Sequence, residues 1–266
     1  MSEWLLAYAA LGAVAGLFAG LLGVGGGAIM VPVLALMFAA QGFPKEHLMH
    51  LALGTSMAAI VFTSISSLRA HHQHGAVKWS IVRMIAPGIL VGTFAGAQLA
   101  SVMPTKPLAI FFVVFMSYVS FQMLANIKPK PSRQLPGPLG MFGVGGGIGA
   151  LSALVAIGGG SLTVPFLTWC NVRMHDAIGT SAAVGFPIAV AGSLGYWVGG
   201  VAGNDLPAGS FGYIYLPALA ACVVASMLTA PLGARAAHNL PVATLKKIFA
   251  GVILLLLAKM VHGLFF

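Results

Sequence analysis

The sequence predicts an all-α integral membrane protein with about ten spanning or part-spanning helices, arranged as two inverted repeats. Of its 266 residues, 59% are hydrophobic and 6% are charged, and the mean hydropathy is +0.99. Soluble domains carry about 25% charged residues. The long apolar runs lack the period-two alternation of a membrane barrel, so they are expected to be helices. Landmarks of the first half also return, in the same order, in the second half.

The first half, residues 1–125, contains five apolar segments, which cover residues 4–22, 28–40, 48–68, 81–102 and 107–125. All except the second approach or exceed the roughly 20 residues that a membrane span requires. The polar stretch 69–78 contains His71, His72 and His74. Because no acid or cysteine lies near it, this stretch is expected to be a solvated loop and not a metal site.

Residues 126–138 form a linker with four prolines and three basic residues, typical of an extended connection on the cytoplasmic side. The second half, residues 139–266, repeats the plan of the first. Its apolar segments cover 139–157, 161–170, 177–198, 211–230 and 245–265.

Two motifs carry the repeat. A triple glycine is followed, after three residues, by Val-Pro in both halves, and Gly-Thr-Ser follows further along, four residues after His50 and again after His175. A third match pairs residues 96–100 with residues 233–237. Three landmarks in the same order indicate a five-plus-five duplication.

The charges indicate how the halves are oriented. An odd number of segments in each repeat requires opposite insertion. With the N-terminus outside, ten of the thirteen Lys and Arg residues fall in the inside connections, as the positive-inside rule predicts. Both termini are therefore expected to be periplasmic. The net charge of +9 is interpreted as orienting the chain against anionic lipid, and no nucleic-acid partner is expected.

The two segments after the triple glycines predict a site. Residues 28–40 would span about 20 Å as a helix, too short for the bilayer, so the glycine end should lie inside the membrane. Two such helix N-termini would offer free N–H groups and a partial positive charge to an anion at the midplane, as in inverted-repeat transporters. The predicted substrate-binding residues are these glycines and the adjoining small or hydroxyl residues: Gly25, Gly26, Gly27, Ala28, Thr55, Ser56, Gly158, Gly159, Gly160, Ser161, Thr180 and Ser181.

These features also have structural interpretations. The glycines could be close-packing surfaces between helices, and the hydroxyls could bond to their own helix turns. His50 and His175 are candidates for gating or for a coupling proton, or are satisfied histidines at the interface. Asp176 is a candidate for coupling-ion binding, or it caps its helix.

Other classes of protein fit less well. A dinucleotide-binding loop needs a preceding strand and a suitably spaced acid, and the nearest acid, Glu46, falls in a short outside connection. An enzyme needs acid–base or metal groups clustered at one depth, whereas the four acids are scattered and the two cysteines lie in or beside apolar segments. No enzymatic activity, cofactor or metal is expected. A channel would be distinguished by flux that does not saturate.

The repeated Gly-Gly-Gly-x3-Val-Pro and Gly-Thr-Ser motifs resemble those of the TauE/SafE sulfite exporter family, also called the toluene-sulfonate uptake permease family. The resemblance covers essentially the whole chain. It implies a transporter that moves sulfite, an organosulfonate such as sulfoacetate or a related small anion across the bacterial inner membrane. Alternating access is the expected mechanism.

Overall fold

The computed structural model describes residues 2–22, 26–125, 131–201, 203, 205–237 and 242–265. Within these ranges the chain forms ten α-helices and one short hairpin, so the all-α prediction is confirmed. The helices are α1 Ser2–Leu22, α2 Gly27–Ala40, α3 Leu48–Gln73, α4 Trp79–Val102, α5 Thr105–Leu124, α6 Pro138–Val155, α7 Gly160–Trp169, α8 Met174–Val201, α9 Leu216–Ala237 and α10 Val242–Phe265. The hairpin strands, β1 Ser210–Phe211 and β2 Ile214–Tyr215, pair antiparallel before α9.

Seven helices in the described ranges, α1, α3, α4, α5, α6, α8 and α9, are long and apolar enough to cross a membrane. Two are shorter: α2 has 14 residues and α7 has 10, and they correspond to the two short segments predicted from the sequence. Large apolar side chains such as Val114 and Phe121 are exposed on the outer helices, where lipid takes the place of water. The chain is a multi-pass membrane protein.

Helices α3 and α8 form the centre of the molecule. In α3, 83% of the residues of the most apolar stretch are buried, and in α8 67% are. In the corresponding stretches of the other five spanning helices, 33–39% of the residues are buried. The two helices pack against each other, and around them α1 packs on α9, α4 on α6 and α5 on α10. The centre therefore consists of the two helices that contain the Gly-Thr-Ser motifs.

Glycines outside the motifs bring two helix pairs into backbone contact. On α4, Gly88, Gly92 and Gly96 recur every four residues and face the backbone of α6; a Cβ atom built on Gly92 would lie 2.1 Å from the Gly146 carbonyl oxygen. On α1, Gly12 faces the Cys222 backbone of α9 in the same way. Small residues permit such close approach of membrane helices. Packing therefore explains these glycines.

Among the boundaries that differ from the sequence prediction, two have a clear local cause. The loop expected to begin at residue 69 is helical as far as Gln73, so His71 and His72 belong to α3. Nothing breaks the helix before Gly75, whose φ of +67° favours glycine. The ninth segment was expected from residue 211, but α9 begins at Leu216 because the hairpin occupies the preceding residues and its turn requires a positive φ at Gly212.

Candidate functional site

Both short helices begin within a triple-glycine motif. Gly26 is the N-cap residue of α2 and Gly159 that of α7, and neither supplies a capping side chain. The first N–H groups of an α-helix have no partner within the helix. Such an end is suited to accepting an anion. Gly25, also predicted as a site residue, lies outside the described residues.

The N-terminus of α2 is packed against the segment that precedes α7. A Cβ atom built on Gly27 would lie 1.9 Å from the Ala156 carbonyl oxygen, so only glycine fits there. Ala156 itself follows α6 in the left-handed conformation, with φ 47° and ψ 45°, and it is fully buried. A non-glycine residue in that conformation costs roughly 1–2 kcal/mol, and such strain is often found at functional sites. The two triple-glycine regions are therefore in contact, and the residue at the contact, Ala156, has a strained backbone conformation.

The N-terminus of α7, by contrast, borders a cavity of about 230 Å³. The cavity lies between α1, α3, α8 and α9. Three predicted site residues, Gly158, Gly159 and Ser181, are among those that line it. The other predicted site residues are not among its lining residues. The remaining lining residues are Ala19, Gly20, Ile60, Thr63, Ser64, Ser66, Ser67, Ala70, His71, Ala182, Gly185, Ala230 and Pro231.

Sequence reasoning missed the polar wall of this cavity, which comes from the second half of α3. Thr63 and Ser64 donate their hydroxyl protons to carbonyl oxygens one turn earlier, at 3.3 and 2.9 Å. Ser66, Ser67 and His71 follow at helical spacing. The signal was the hydroxyl-rich run at residues 63–67 inside an apolar segment. Its significance was hidden because a run of hydroxyls does not reveal which helix face meets a cavity.

The Gly-Thr-Ser motif of α3 holds a connection from the other half of the chain. A Cβ atom on Gly54 would lie 2.2 Å from the Tyr213 carbonyl oxygen, and the Tyr215 backbone N–H donates to Thr55 Oγ1 at 2.9 Å. The last residue of the motif, Ser56, is fully buried, and its hydroxyl has no hydrogen-bond partner within the described ranges.

The Gly-Thr-Ser motif of α8 makes the reciprocal contacts. A Cβ atom on Gly179 would lie 2.6 Å from the Ala76 carbonyl oxygen, and the Lys78 backbone N–H donates to Thr180 Oγ1 at 3.0 Å. Ser181 is buried and, in the described part of the chain, unpartnered. In both motifs the glycine permits close approach, the threonine accepts a bond across the halves and the serine hydroxyl is left available.

Replacing Thr55 or Thr180 with valine is expected to lower the apparent melting temperature in detergent. Valine keeps the shape but leaves the Tyr215 or Lys78 N–H unpaired, at a cost of about 1–3 kcal/mol. Serine at either position retains the acceptor and should restore most of the loss. Equal melting temperatures for the valine and wild-type proteins would contradict the role assigned to these hydroxyls.

The candidates for gating or coupling lie away from the cavity lining. His50 is buried, with Nε2 3.0 Å from the Met103 carbonyl oxygen, and its ring stacks on Tyr213 at 4.8 Å. Burial raises the pKa of Tyr213, so its phenol stays neutral. His175 is exposed. Asp176 is buried and forms ion pairs with Arg173 at 2.9 Å and Lys78 at 3.6 Å.

No group of three His, Cys, Asp or Glu residues in the described ranges is placed to hold a metal ion. Cys170 and Cys222 are buried free thiols. The groups that the cavity lining offers to a ligand are hydroxyls, a helix N-terminus and one histidine.

Similar proteins are described as probable membrane transporters. One from Haemophilus influenzae is 38% identical over 251 residues, covering 94% of this chain and 95% of the relative. YdhB of Bacillus subtilis is 27% identical, covering 87% of this chain and 89% of its own length. MJ0441 of Methanocaldococcus jannaschii is 25% identical, with 84% and 80% covered. No solved structure matches at a significant level.

The helical membrane fold and these relatives together place the chain in a class of membrane transporters. The family model described as Sulfite exporter TauE/SafE matches residues 8–260. The chain belongs to this family, and the resemblance inferred from the two glycine motifs is confirmed.

Proposed function

We propose that the protein is a secondary transporter that moves a small sulfur-containing oxyanion across the bacterial inner membrane by alternating access. Sulfite and organosulfonates such as sulfoacetate are the proposed substrates. The observation that carries the proposal is the N-terminus of α7, where Gly158 and Gly159 border a cavity that Ser66 and Ser67 of α3 also line. The description of the family points to the same class of substrate.

The magnitudes favour an anion bound with moderate affinity. A helix N-terminus stabilises a negative charge by up to about 2 kcal/mol in partly buried geometries. Charge-assisted hydrogen bonds add roughly 1.5–3 kcal/mol each, and the part-exposed Ser66 and Ser67 supply donors. Among the described lining residues there is no Lys or Arg, and His71 is the one that can become charged. A site without a fixed cation can release its anion, as transport requires.

The size of the cavity fits a small substrate. Roughly 10–15 Å³ of such volume holds one water molecule, so a cavity of about 230 Å³ has room for a small oxyanion with part of its hydration shell. Retained water lowers the cost of dehydration, which is the main obstacle to binding an anion without a fixed cation.

The proposed mechanism requires that residues 1–125 and 139–266 be inverted repeats. Paired contacts support this. Helix α1 packs on α9 and α4 on α6, which are equivalent pairs when the halves are exchanged. The reciprocal bonds of Thr55 and Thr180 are a second such pair. Two structurally similar halves inserted in opposite senses give a transporter two states of comparable energy.

The cavity is proposed to face the cytoplasm in this structure. It lies towards the C-terminal end of α3, where Arg69 and Lys78 occur, and next to the N-terminal part of α8, where Arg173 precedes the helix. Basic residues concentrate on the cytoplasmic side of membrane proteins. With this assignment the linker is cytoplasmic and both termini are periplasmic.

Flux into proteoliposomes tests the proposal. Sulfite, thiosulfate, sulfoacetate and sulfate would be offered separately, with protein-free liposomes as control. We expect saturable uptake of sulfite or sulfoacetate and a raised melting temperature with the transported anion. If none of the four moves and none raises the melting temperature, the substrate class is wrong. Uptake that never saturates would instead indicate a channel.

A further inference from the structure

We propose that the protein contains a second anion chamber on the opposite side of α3 and α8, lined by Ser56, Thr93 and Ser152 and closed in this structure by Tyr196 and Met57. The proposal rests on the transport function above and identifies the residues of the alternate state. The chamber would take the same class of small oxyanion, bound by hydroxyl groups.

The register between the two halves follows from contacts. A Cβ atom on Gly12 of α1 would meet the Cys222 backbone of α9, and one on Gly145 of α6 would meet the Ile85 backbone of α4. When the triple glycines of the two halves are aligned, α1 corresponds to α6 and α9 to α4. The contact of Gly12 with Cys222 then corresponds to that of Gly145 with Ile85. The contacts of Gly16 with Ser226 and of Gly149 with Ile89 interchange in the same way, as do those of Gly233 with Leu17 and of Gly96 with Ala150.

Aligning Gly54 of α3 with Gly179 of α8 completes the register. A Cβ atom on Gly54 would meet the Tyr213 backbone, and one on Gly179 would meet the Ala76 backbone. Ala76 and Tyr213 are equivalent positions when α4 is placed on α9. With this register each residue lining the cavity has a counterpart in the other half. Ser181 corresponds to Ser56, Ala19 to Ser152 and Ala230 to Thr93, while Ala182 corresponds to Met57 and His71 to Tyr196.

Tyr196 and Met57, which we call the plug, occupy the region that corresponds to the open cavity. Tyr196 is fully buried and donates its hydroxyl proton to the Ala153 carbonyl oxygen at 2.9 Å. Met57 is also fully buried and packs on α8, since a Cβ atom on Gly192 would lie 3.0 Å from its sulfur. On the open side the same positions hold the partly exposed His71 and the small Ala182, which leave space.

Three buried hydroxyls occupy positions that correspond to residues lining the open cavity. Ser56, Thr93 and Ser152 are each 0% exposed, and none has a hydrogen-bond partner within the described ranges. Thr93 Oγ1 faces α6, because a Cβ atom on Gly149 would lie 2.6 Å from it, and Ser152 lies about one turn further along α6. A buried, unpaired hydroxyl costs stability in the state that buries it. A role in a second state explains why three of them are present.

A single conformational change would open the second chamber and close the cavity beside His71. When the bond from Tyr196 to Ala153 breaks and Met57 leaves Gly192, the three hydroxyls become accessible and can donate to an oxyanion. Exchange of the conformations of the two halves would at the same time close the cavity beside His71. The plug therefore keeps the second chamber closed while the first is open.

Accessibility of single cysteines tests this without any substrate. The two native cysteines, Cys170 and Cys222, are first replaced with alanine. Ser152→Cys reports on the second chamber, Ser67→Cys, at a part-exposed position of the lining, on the open cavity, and Ser120→Cys on a buried, unpartnered hydroxyl of α5 that belongs to neither. Each is treated with a membrane-impermeant methanethiosulfonate in vesicles of both orientations.

We expect Ser67→Cys to be labelled from the face that carries the linker. Ser152→Cys should resist labelling until Tyr196→Phe and Met57→Ala are added. It should then label from the other face roughly tenfold faster or more, since both changes remove contacts that close the chamber in this structure. Ser120→Cys should stay protected throughout.

The proposal is overturned if Ser152→Cys stays protected in the double variant. It is also overturned if Ser120→Cys becomes reactive together with Ser152→Cys, because the two changes would then have loosened the whole fold. Labelling of Ser152→Cys together with absent flux of the tested anions would leave the chamber standing and reject the assigned substrate class alone.

Discussion

Replacing Gly159 with valine is expected to abolish anion flux in proteoliposomes while the protein still inserts and keeps its helical content. A Cβ atom at this position would lie 3.1 Å from the Ser181 carbonyl oxygen and 3.2 Å from both Thr163 Oγ1 and Val184 Cγ1. One methyl group can be accommodated by small shifts, but the two further methyl groups of valine would enter the space where the α7 N-terminus meets the cavity. Loss of even one charge-assisted bond to the anion weakens binding roughly 10- to 100-fold.

Gly147→Val is the matched control for this experiment. Gly147 is exposed on α6, with nothing within 4 Å of a built Cβ atom, so the same change in volume should leave flux unchanged. Wild-type flux in Gly159→Val would show that the α7 N-terminus does not bind the anion. Loss of flux in both variants would point to a general effect of valine on the fold.

Replacing Gly92 with alanine is expected to cause a large loss of stability. The new Cβ atom would lie 2.1 Å from the Gly146 carbonyl oxygen and 2.6 Å from its Cα, so two backbones and not a flexible side chain must move apart. Overpacking costs about 1–3 kcal/mol and occasionally more, and here the whole contact between α4 and α6 is affected. The apparent melting temperature, followed by size-exclusion chromatography after heating, should fall clearly.

The control is Gly143→Ala on α6, where a Cβ atom meets nothing within 4 Å. Alanine favours the helix more than glycine does, by about 1 kcal/mol in soluble hosts, so this variant should be as stable as wild type or more stable. If Gly92→Ala and Gly143→Ala melted at the same temperature, α4 and α6 would not be in backbone contact.

The starts of the two short helices could be predicted from sequence because their causes are local. Three glycines interrupt an apolar run, and the runs that follow are too short to span the bilayer. Helices α2 and α7 accordingly begin at Gly27 and Gly160. The hydroxyl wall of α3 could not be predicted, because only its packing against α1, α8 and α9 shows that Ser66 and His71 face a cavity.

The difference between neighbouring hydroxyls was equally inaccessible to sequence. Thr180 and Ser181 are adjacent and were predicted to act together. In the fold, Thr180 accepts a bond from the Lys78 N–H, whereas Ser181 has no partner in the described part of the chain and lines the cavity. The partner of Thr180 lies 102 residues away, so no local pattern could have indicated it.

The sequence alone determined that the molecule is a multi-pass helical membrane protein, because lipid requires each apolar run to satisfy its own backbone hydrogen bonds. Its repeated glycine motifs indicated the TauE/SafE family. Only the tertiary structure decided which glycines bring helices into backbone contact and which border the cavity. It also decided that the α7 end is open while the α2 end is packed against Ala156. The physical reason is that a side chain's role depends on which distant segment lies within about 3 Å of it, and chain order does not encode that distance directly.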